Sequence, residues 1–476
     1  MASSRKSRSS ELGARLEREL ARRVPRGARL TLALSGGIDS AVLLDLVAPR
    51  ASRLGLRLAC VHFDHGRSPH APAWARFCRR LAARYGLACR VRKLDLAPHR
   101  KLGREGAARA ARYAALRAER ADFIALAQHL DDQAETVLLQ LVRGAGAAGL
   151  AGMPAASLPD DAGPRFVRPL LDVTRAEIAA YARARGLEWV EDESNRDETL
   201  ARNFLRRRVL PLLTELNPAA VANLGRSARH LGEAAGLLAE LAAIDAERCV
   251  VRGALDVAAL GRLGAARARN LLRWFLQRHG VAAPSSVRLD EILRQAAQAR
   301  ADRGVAFDLD GTTLRRYKGA LRLVPPSPAS PPPGSFEAVW SGARPWPVPE
   351  LGGELRLEPV RGTGLRAAAV RRGRLTLRPR RGGEALRPRI AGPRRTVKRL
   401  LQQSGVPPWD RVRLPLVYVD EALACVPGVA VAAELQAGPG EPGLRIEWTP
   451  LAPEAAAPGA VRKPVKRAKR AKRVLK

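Results

Sequence analysis

Acidic residues are in short supply in this 476-residue chain. Only 46 Asp and Glu stand against 83 Lys and Arg, a net charge of +37. Lysine is scarce too, with 73 of the basic residues being Arg and ten Lys. A genome bias can exchange Lys for Arg, but it does not create an excess of cations over acids. The imbalance therefore points to a polyanionic partner, and nucleic acid is the commonest. Cysteine is sparse: Cys60, Cys78, Cys89, Cys249 and Cys425 form no CxxC pair. That excludes a zinc ribbon and a disulfide framework and fits a reducing cytoplasm. No run of eighteen apolar residues occurs, so no transmembrane span and no membrane partner are expected. The first residues, MASSRKSRSS, lack the apolar stretch of a signal peptide. A cytoplasmic location is the resulting expectation. Apolar residues make up 46% of the chain, enough for real cores in two to four domains.

Against this background the stretch Ser35-Gly36-Gly37-Ile38-Asp39-Ser40 stands out. It follows the apolar run Leu30–Leu34 and precedes Ala41–Leu46, an order that reads as strand, tight turn and helix start. Two glycines let the backbone take φ > 0 and approach a ligand closely. Ser and Asp at a helix N-terminus leave amides pointing outward, a ready anion site. The stretch lacks the Lys-Ser/Thr ending of a Walker loop and the third glycine of a dinucleotide fingerprint. A Gly-Gly turn between strand and helix is common on its own, so the flanking positions and context carry the inference. The stretch resembles the PP-loop of ATP pyrophosphatases, which split ATP into AMP and pyrophosphate.

The first two hundred residues alternate strand-like segments (29–34, 56–63, 88–94, 122–127) with helix-like ones (10–23, 40–53, 72–85, 104–120, 132–142). Alternation of this kind predicts βαβ units around a parallel, doubly wound, Rossmann-like sheet. Ligands of such sheets bind at the carboxyl ends of the strands. Three motifs fall there: 35–40, His62 to His65, and His129 to Glu135. From about 216 to 320, Ala/Leu/Arg-rich helical repeats predict a small helical domain. VPPSPASPPPG then marks a linker. Short alternating stretches over 352–449 predict an α+β module, with a short helix near 394–404. Residues 361–400 hold fourteen Lys/Arg and one acid, Glu384. The last fifteen residues hold nine Lys/Arg and no acid, as expected of a disordered tail.

Asp132 and Glu135 lie three apart, on one face of a helix. Paired carboxylates there can hold Mg²⁺ or grip an ammonium group. Capping and dipole compensation is the plainer account of acids at a helix start. Arg109 and Arg112 are also one turn apart and can face one ligand, or simply make an exposed basic face. The segment Asp192-Glu193-Ser194-Asn195-Arg196-Asp197, with Arg202-Asn203-Phe204-Leu205-Arg206 after it, predicts a turn-rich loop and a helix start. Its chemistry alone assigns it no role.

Taken in order, SGGIDS, HFDHG, GREGAARAARY, HLDDQAET, RGAGAAGLAGM and DESNRDETLARNFLR resemble the bacterial tRNA(Ile)-lysidine synthetases of the PP-loop superfamily. The resemblance is dense over 28–215 and returns at 378–428. Arg67 departs from it, since the family more often has Leu after His-Gly. It implies a basic N-terminal extension with a helix (1–27), a PP-loop ATP pyrophosphatase domain (28–215), and a helical middle domain (216–324). A C-terminal tRNA-binding α+β domain (350–455) follows, while the Pro-rich linker (325–349) and the basic tail (456–476) look like additions to the family pattern.

The resemblance also implies a ligase that uses ATP and Mg²⁺. Its partners would be free lysine and the CAU-anticodon tRNA(Ile), with a homodimer left open. Ser35 to Ser40 would bind ATP, and Asp39 would also help hold Mg²⁺. Arg109 and Arg112 would neutralise charge on the transferred nucleotide. Asp132, Glu135 and His129 would bind lysine, with Asp132 and Glu135 catalytic. Arg380, Arg381, Arg387, Arg394, Arg395, Lys398 and Arg399 would contact tRNA. A sister tRNA thiolase and a non-catalytic RNA-binding protein are the alternatives. The first lacks its cysteine spacing here, and the second would be expected to have lost the intact Ser, Asp and Glu positions.

Overall fold

The computed structural model describes residues 2–450, except 67, 158–162, 194–196, 300–304, 310, 325–335, 343–344 and 412–413. The basic tail, most of the Pro-rich stretch, Arg67 and Ser194 to Arg196 therefore lie outside the described residues. The chain divides into two compact units, one running to Leu241 and one starting at Ala242.

The first unit is built on five parallel strands: β1 (Arg29–Ala33), β2 (Arg57–Asp64), β3 (Cys89–Lys93), β4 (Phe123–Ala125) and β5 (Arg165–Val167). Their order is β3-β2-β1-β4-β5. The chain moves outward from β1 on one side, then restarts on the other at β4. The switch point thus lies between β1 and β4, where an open α/β sheet offers its ligand crevice. Alternation sorts the side chains to two faces. Phe123 and Ala125 enter one core with Leu30 and Leu32, whereas Ile124 and Leu126 enter the other with Val61 and Phe63.

Helix α1 (Ala2–Arg23) brings Leu12, Leu16 and Leu20 onto the first core at a four-residue spacing. Helix α2 (Ile38–Val47) is almost wholly buried there. The helix Gly103–Arg117 covers the other face through Ala111 and Leu116. The N-terminal extension is thus more than an appendage, because its helix closes the core of this unit.

The second unit corrects the reading of 216–324 as helical. Beside the helices Val257–Arg262, Ala265–Arg278 and Ser286–Gln298 it holds five short antiparallel strands between Val250 and Val324. Their alternation runs for only two to six residues and includes an inward arginine, Arg316, so composition masks it. The C-terminal part is α+β, with a five-stranded and a four-stranded antiparallel sheet. Strands Ala338–Val339 and Trp346–Val348 belong to these sheets, so the end of the expected linker is structured, with Trp346 and Val348 buried.

Candidate active site

Residues 35–40 form the turn from β1 into α2, at the switch point. Gly36 takes φ +88°, in the left-handed region that favours glycine. Its carbonyl accepts from the Val190 amide at 2.9 Å. Ser40, nearly buried, ties the turn together: its Oγ accepts from the Gly36 amide at 3.2 Å and donates to the Gly37 carbonyl at 2.9 Å. Ser35 Oγ accepts from the Gly37 amide at 3.3 Å. Gly37 is the N-cap of α2, and no side chain caps this end. The first-turn amides and the helix dipole therefore face a prospective anion.

A cleft of about 340 Å³ opens over this turn. Of the expected residues, Ser35, Asp39, Ser40, Arg109, Arg112 and Asp132 line it. Gly36, Gly37 and Ile38 belong to the turn beneath it but are not among its lining residues. His129 and Glu135 do not line it and are 1% and 0% exposed. His129 caps the helix Leu130–Val142, its amide donating to Asp132 Oδ2 at 3.1 Å. Its Nε2 lies 3.7 Å from Asp39 Oδ1 and 3.6 Å from Asp132 Oδ2. The acids of the two helix starts, one after β1 and one after β4, thus meet around a single imidazole.

Burial raises the Asp39 carboxyl above the usual carboxylate range, with His129 opposing and Asp132 adding to the shift. Asp39 Oδ1 is buried without a hydrogen-bond partner. Burial likewise raises Glu135, against the pull of Arg206. Burial lowers Arg112, and Arg109 lowers it further, while Tyr113 and Asp132 oppose. A cation held below its ordinary range has room for an anion nearby. Mg²⁺ bound through one or two carboxylates plus substrate phosphates needs no protein cage. The unpartnered oxygen of Asp39, beside the phosphate turn, fits that kind of ion.

Comparison with known proteins agrees with this geometry. Residues 11–213 match a PP-loop domain, 255–322 the TilS substrate binding domain and 375–448 the TilS substrate C-terminal domain. The tRNA(Ile)-lysidine synthase of Nitrosomonas europaea is 40% identical over 429 residues, covering 89% of this chain and 92% of that protein. That of Methylococcus capsulatus is 42% identical over 430 residues, covering 89% and 97%. This chain belongs to the tRNA(Ile)-lysidine synthase family. Among solved structures, a U34-tRNA thiolase from Methanococcus maripaludis aligns at TM-score 0.42 and 19% identity, over 48% of this chain and 80% of that one.

Within this family member the structure adds residues that the sequence left without a role. Arg202 and Tyr113 line the cleft, as do His65 and Gln128. Arg206 reaches the acidic pair, its NH2 3.0 Å from Asp132 Oδ1 and its Nε 2.6 Å from Glu135 Oε1. It sits on a π-type turn, Leu205–Val209, between the helical stretches Ala201–Phe204 and Leu210–Leu216. Such turns often mark functional sites.

The expected tRNA contacts lie in the second unit. Arg394 and Arg395 border a two-stranded hairpin (Ala385–Leu386 with Arg395–Thr396) that leads into the helix Val397–Gln403. Lys398 and Arg399 are exposed, while Val397, Leu400 and Leu401 are buried. Arg381, Arg387 and Arg394 are exposed, whereas Arg380 and Arg395 are half-buried.

Proposed function

We propose that this enzyme joins lysine to the wobble cytidine of the CAU anticodon of tRNA(Ile), changing its codon reading from AUG to AUA. One observation carries the reading: a glycine turn opening a helix, the carboxylates of Asp39 and Asp132, and the guanidinium groups of Arg109 and Arg112 meet in one cleft at the sheet's switch point, in a chain of this family. ATP phosphates would lie on the amides of residues 35–40. The C2 oxygen of the cytidine attacks the α-phosphorus and pyrophosphate leaves. Arg109 and Arg112 would offset the charge that develops. The lysine amine then attacks C2, and AMP leaves with the C2 oxygen.

A carboxylate would take the amine's proton. Asp132 lines the cleft and is placed for this, with Glu135 buried one turn behind it and held by Arg206. Asp132 and Glu135 would hold the lysine, with His129 aligning Asp132. Asp39 would hold Mg²⁺, which supplies charge neutralisation on the phosphates. Arg380, Arg381, Arg387, Arg394, Arg395, Lys398 and Arg399 would contact tRNA phosphates, giving affinity rather than sequence reading.

The thiol chemistry of a sister thiolase is disfavoured: burial pushes the Cys60 and Cys78 thiols up to about 12 and Cys89 to about 11. No helix among the described residues is long and apolar enough to cross a membrane, which is compatible with a cytoplasmic enzyme. The test is incubation of purified protein with ATP, Mg²⁺, labelled lysine and a CAU-anticodon tRNA(Ile) transcript. Label should enter this RNA and not initiator tRNA with the same anticodon. No label, or equal label in both, would sink the reading.

A further inference from the structure

We propose that Tyr113 is a positioning residue that aims the Arg109 guanidinium into the cleft, an inference that rests on the ligase reading above. Arg109 and Tyr113 are four apart on the helix Gly103–Arg117, so their side chains meet. The guanidinium carbon of Arg109 lies 5.1 Å from the centroid of the Tyr113 ring, within cation–π range. Arg109 is exposed. A long exposed cation of this kind loses much rotamer freedom when it closes on an anion. A ring that restricts it beforehand lowers that cost.

The ring itself is immobilised from two further sides. It makes a T-shaped contact with Phe166, the ring centroids 5.5 Å apart and the planes at 74°. Its hydroxyl interacts electrostatically with Arg168, which is 7% exposed. Arg168 is anchored in turn: NH1 donates to the Pro154 carbonyl at 2.8 Å, and Nε donates to the side-chain oxygen of Gln128. Phe166 and Arg168 belong to β5 and the residue just after it. The chain of contacts therefore ties Arg109 to the rigid sheet rather than to its own helix alone. Burial would raise the Tyr113 hydroxyl, but Arg109 and Arg168 outweigh it and hold it below the usual phenol range. Tyr113 and Arg109 both face the cleft.

The test is a double-mutant cycle on the full-length enzyme, with lysidine formation followed under single-turnover conditions from ATP, Mg²⁺, lysine and the CAU-anticodon transcript. Y113L should lower the rate about tenfold, equivalent to about 1.4 kcal/mol in the barrier. Its tRNA affinity by filter binding should be unchanged. Y113F keeps the ring and should stay within about threefold of wild type. The double variant R109A/Y113L should be no slower than R109A alone, because Tyr113 acts through Arg109. Losses that multiply, a Y113L enzyme as fast as wild type, or Y113F as slow as Y113L would each overturn the proposal. Should Y113L fail to fold, the cycle is run with Y113M, which also lacks the ring and must show a loss that vanishes in the R109A background. A wild-type enzyme that forms no lysidine would instead defeat the ligase reading itself.

Discussion

Arg206 donates to Glu135 at 2.6 Å, and this contact joins two elements 71 residues apart in the chain. The Glu135 side chain is fully buried, while that of Arg206 is 29% exposed. Removing one partner of such a pair strands the other charge. R206A should therefore destabilise the first unit, at the lower end of the roughly 3–5 kcal/mol found for broken buried pairs. Its pH dependence has a definite sign. Burial already raises Glu135, and losing Arg206 raises it further, so the folded variant holds a proton more readily than the unfolded chain. The penalty should be full near pH 8 and shrink as the pH falls toward 5. Urea unfolding of wild type and variant across that range checks this, and a gap independent of pH would contradict it.

Asp39 illustrates a conflict between stability and activity. Its carboxyl is raised chiefly by burial, so keeping it charged at neutral pH costs stability. D39N removes that charge with little change of shape. We expect the melting temperature to rise by about 1–3 °C, the scale on which 1 kcal/mol or less moves a domain of this size. Pyrophosphate release should fall to background while tRNA binding persists. Calorimetry and a coupled pyrophosphate assay read the two effects. Retained adenylation would refute the role assigned to Asp39.

The parts of this fold that sequence reveals are those where local pattern and tertiary role agree. β1 is an apolar run ended by Ser35-Gly36-Gly37, and it pairs on both sides, as such a run requires. β5 escapes notice because it has three residues, opens on Arg165, and is defined by its pairing with β4. The same limit hides Arg206. It is the first of three consecutive arginines, yet Arg207 and Arg208 pair with Glu198 while Arg206 turns to Glu135. The π-type turn that carries all three leaves no local mark in composition. Asp39 and Asp132 were legible because each opens a helix directly after a buried strand. Their meeting through His129 was not, since it depends on which strands lie side by side.

Gly36 gives a prediction about the turn itself. A Cβ there would meet Val190 Cγ2 at 2.8 Å, and the backbone sits at φ +88°. G36A should therefore cost about 1–3 kcal/mol, the range for a non-glycine residue forced into such a conformation. Because the Gly36 carbonyl accepts from the Val190 amide, the strain falls on the turn that would hold the phosphates. KM for ATP should rise more than KM for tRNA. An alanine variant with unchanged stability and ATP dependence would show that the turn tolerates a side chain.

The basic hairpin and helix near residue 398 make a separate prediction, because their effect should be electrostatic. Lys398 and Arg399 are exposed on the helix Val397–Gln403, whose Thr396 cap accepts from the Arg399 amide at 3.4 Å. Their side chains are not needed for that cap or for the buried Val397, Leu400 and Leu401, so K398A/R399A should fold normally. If each side chain neutralises one phosphate, the double variant should bind tRNA more weakly. It should also flatten the plot of log affinity against log salt by about one to two units of slope. The weakening should be similar for tRNAs of different sequence, because phosphate contacts carry no base information. Filter binding between 50 and 200 mM salt with matched and unmatched transcripts measures both. An unchanged slope would remove these two residues from the tRNA footprint, and a loss confined to one tRNA would make them readers of sequence instead.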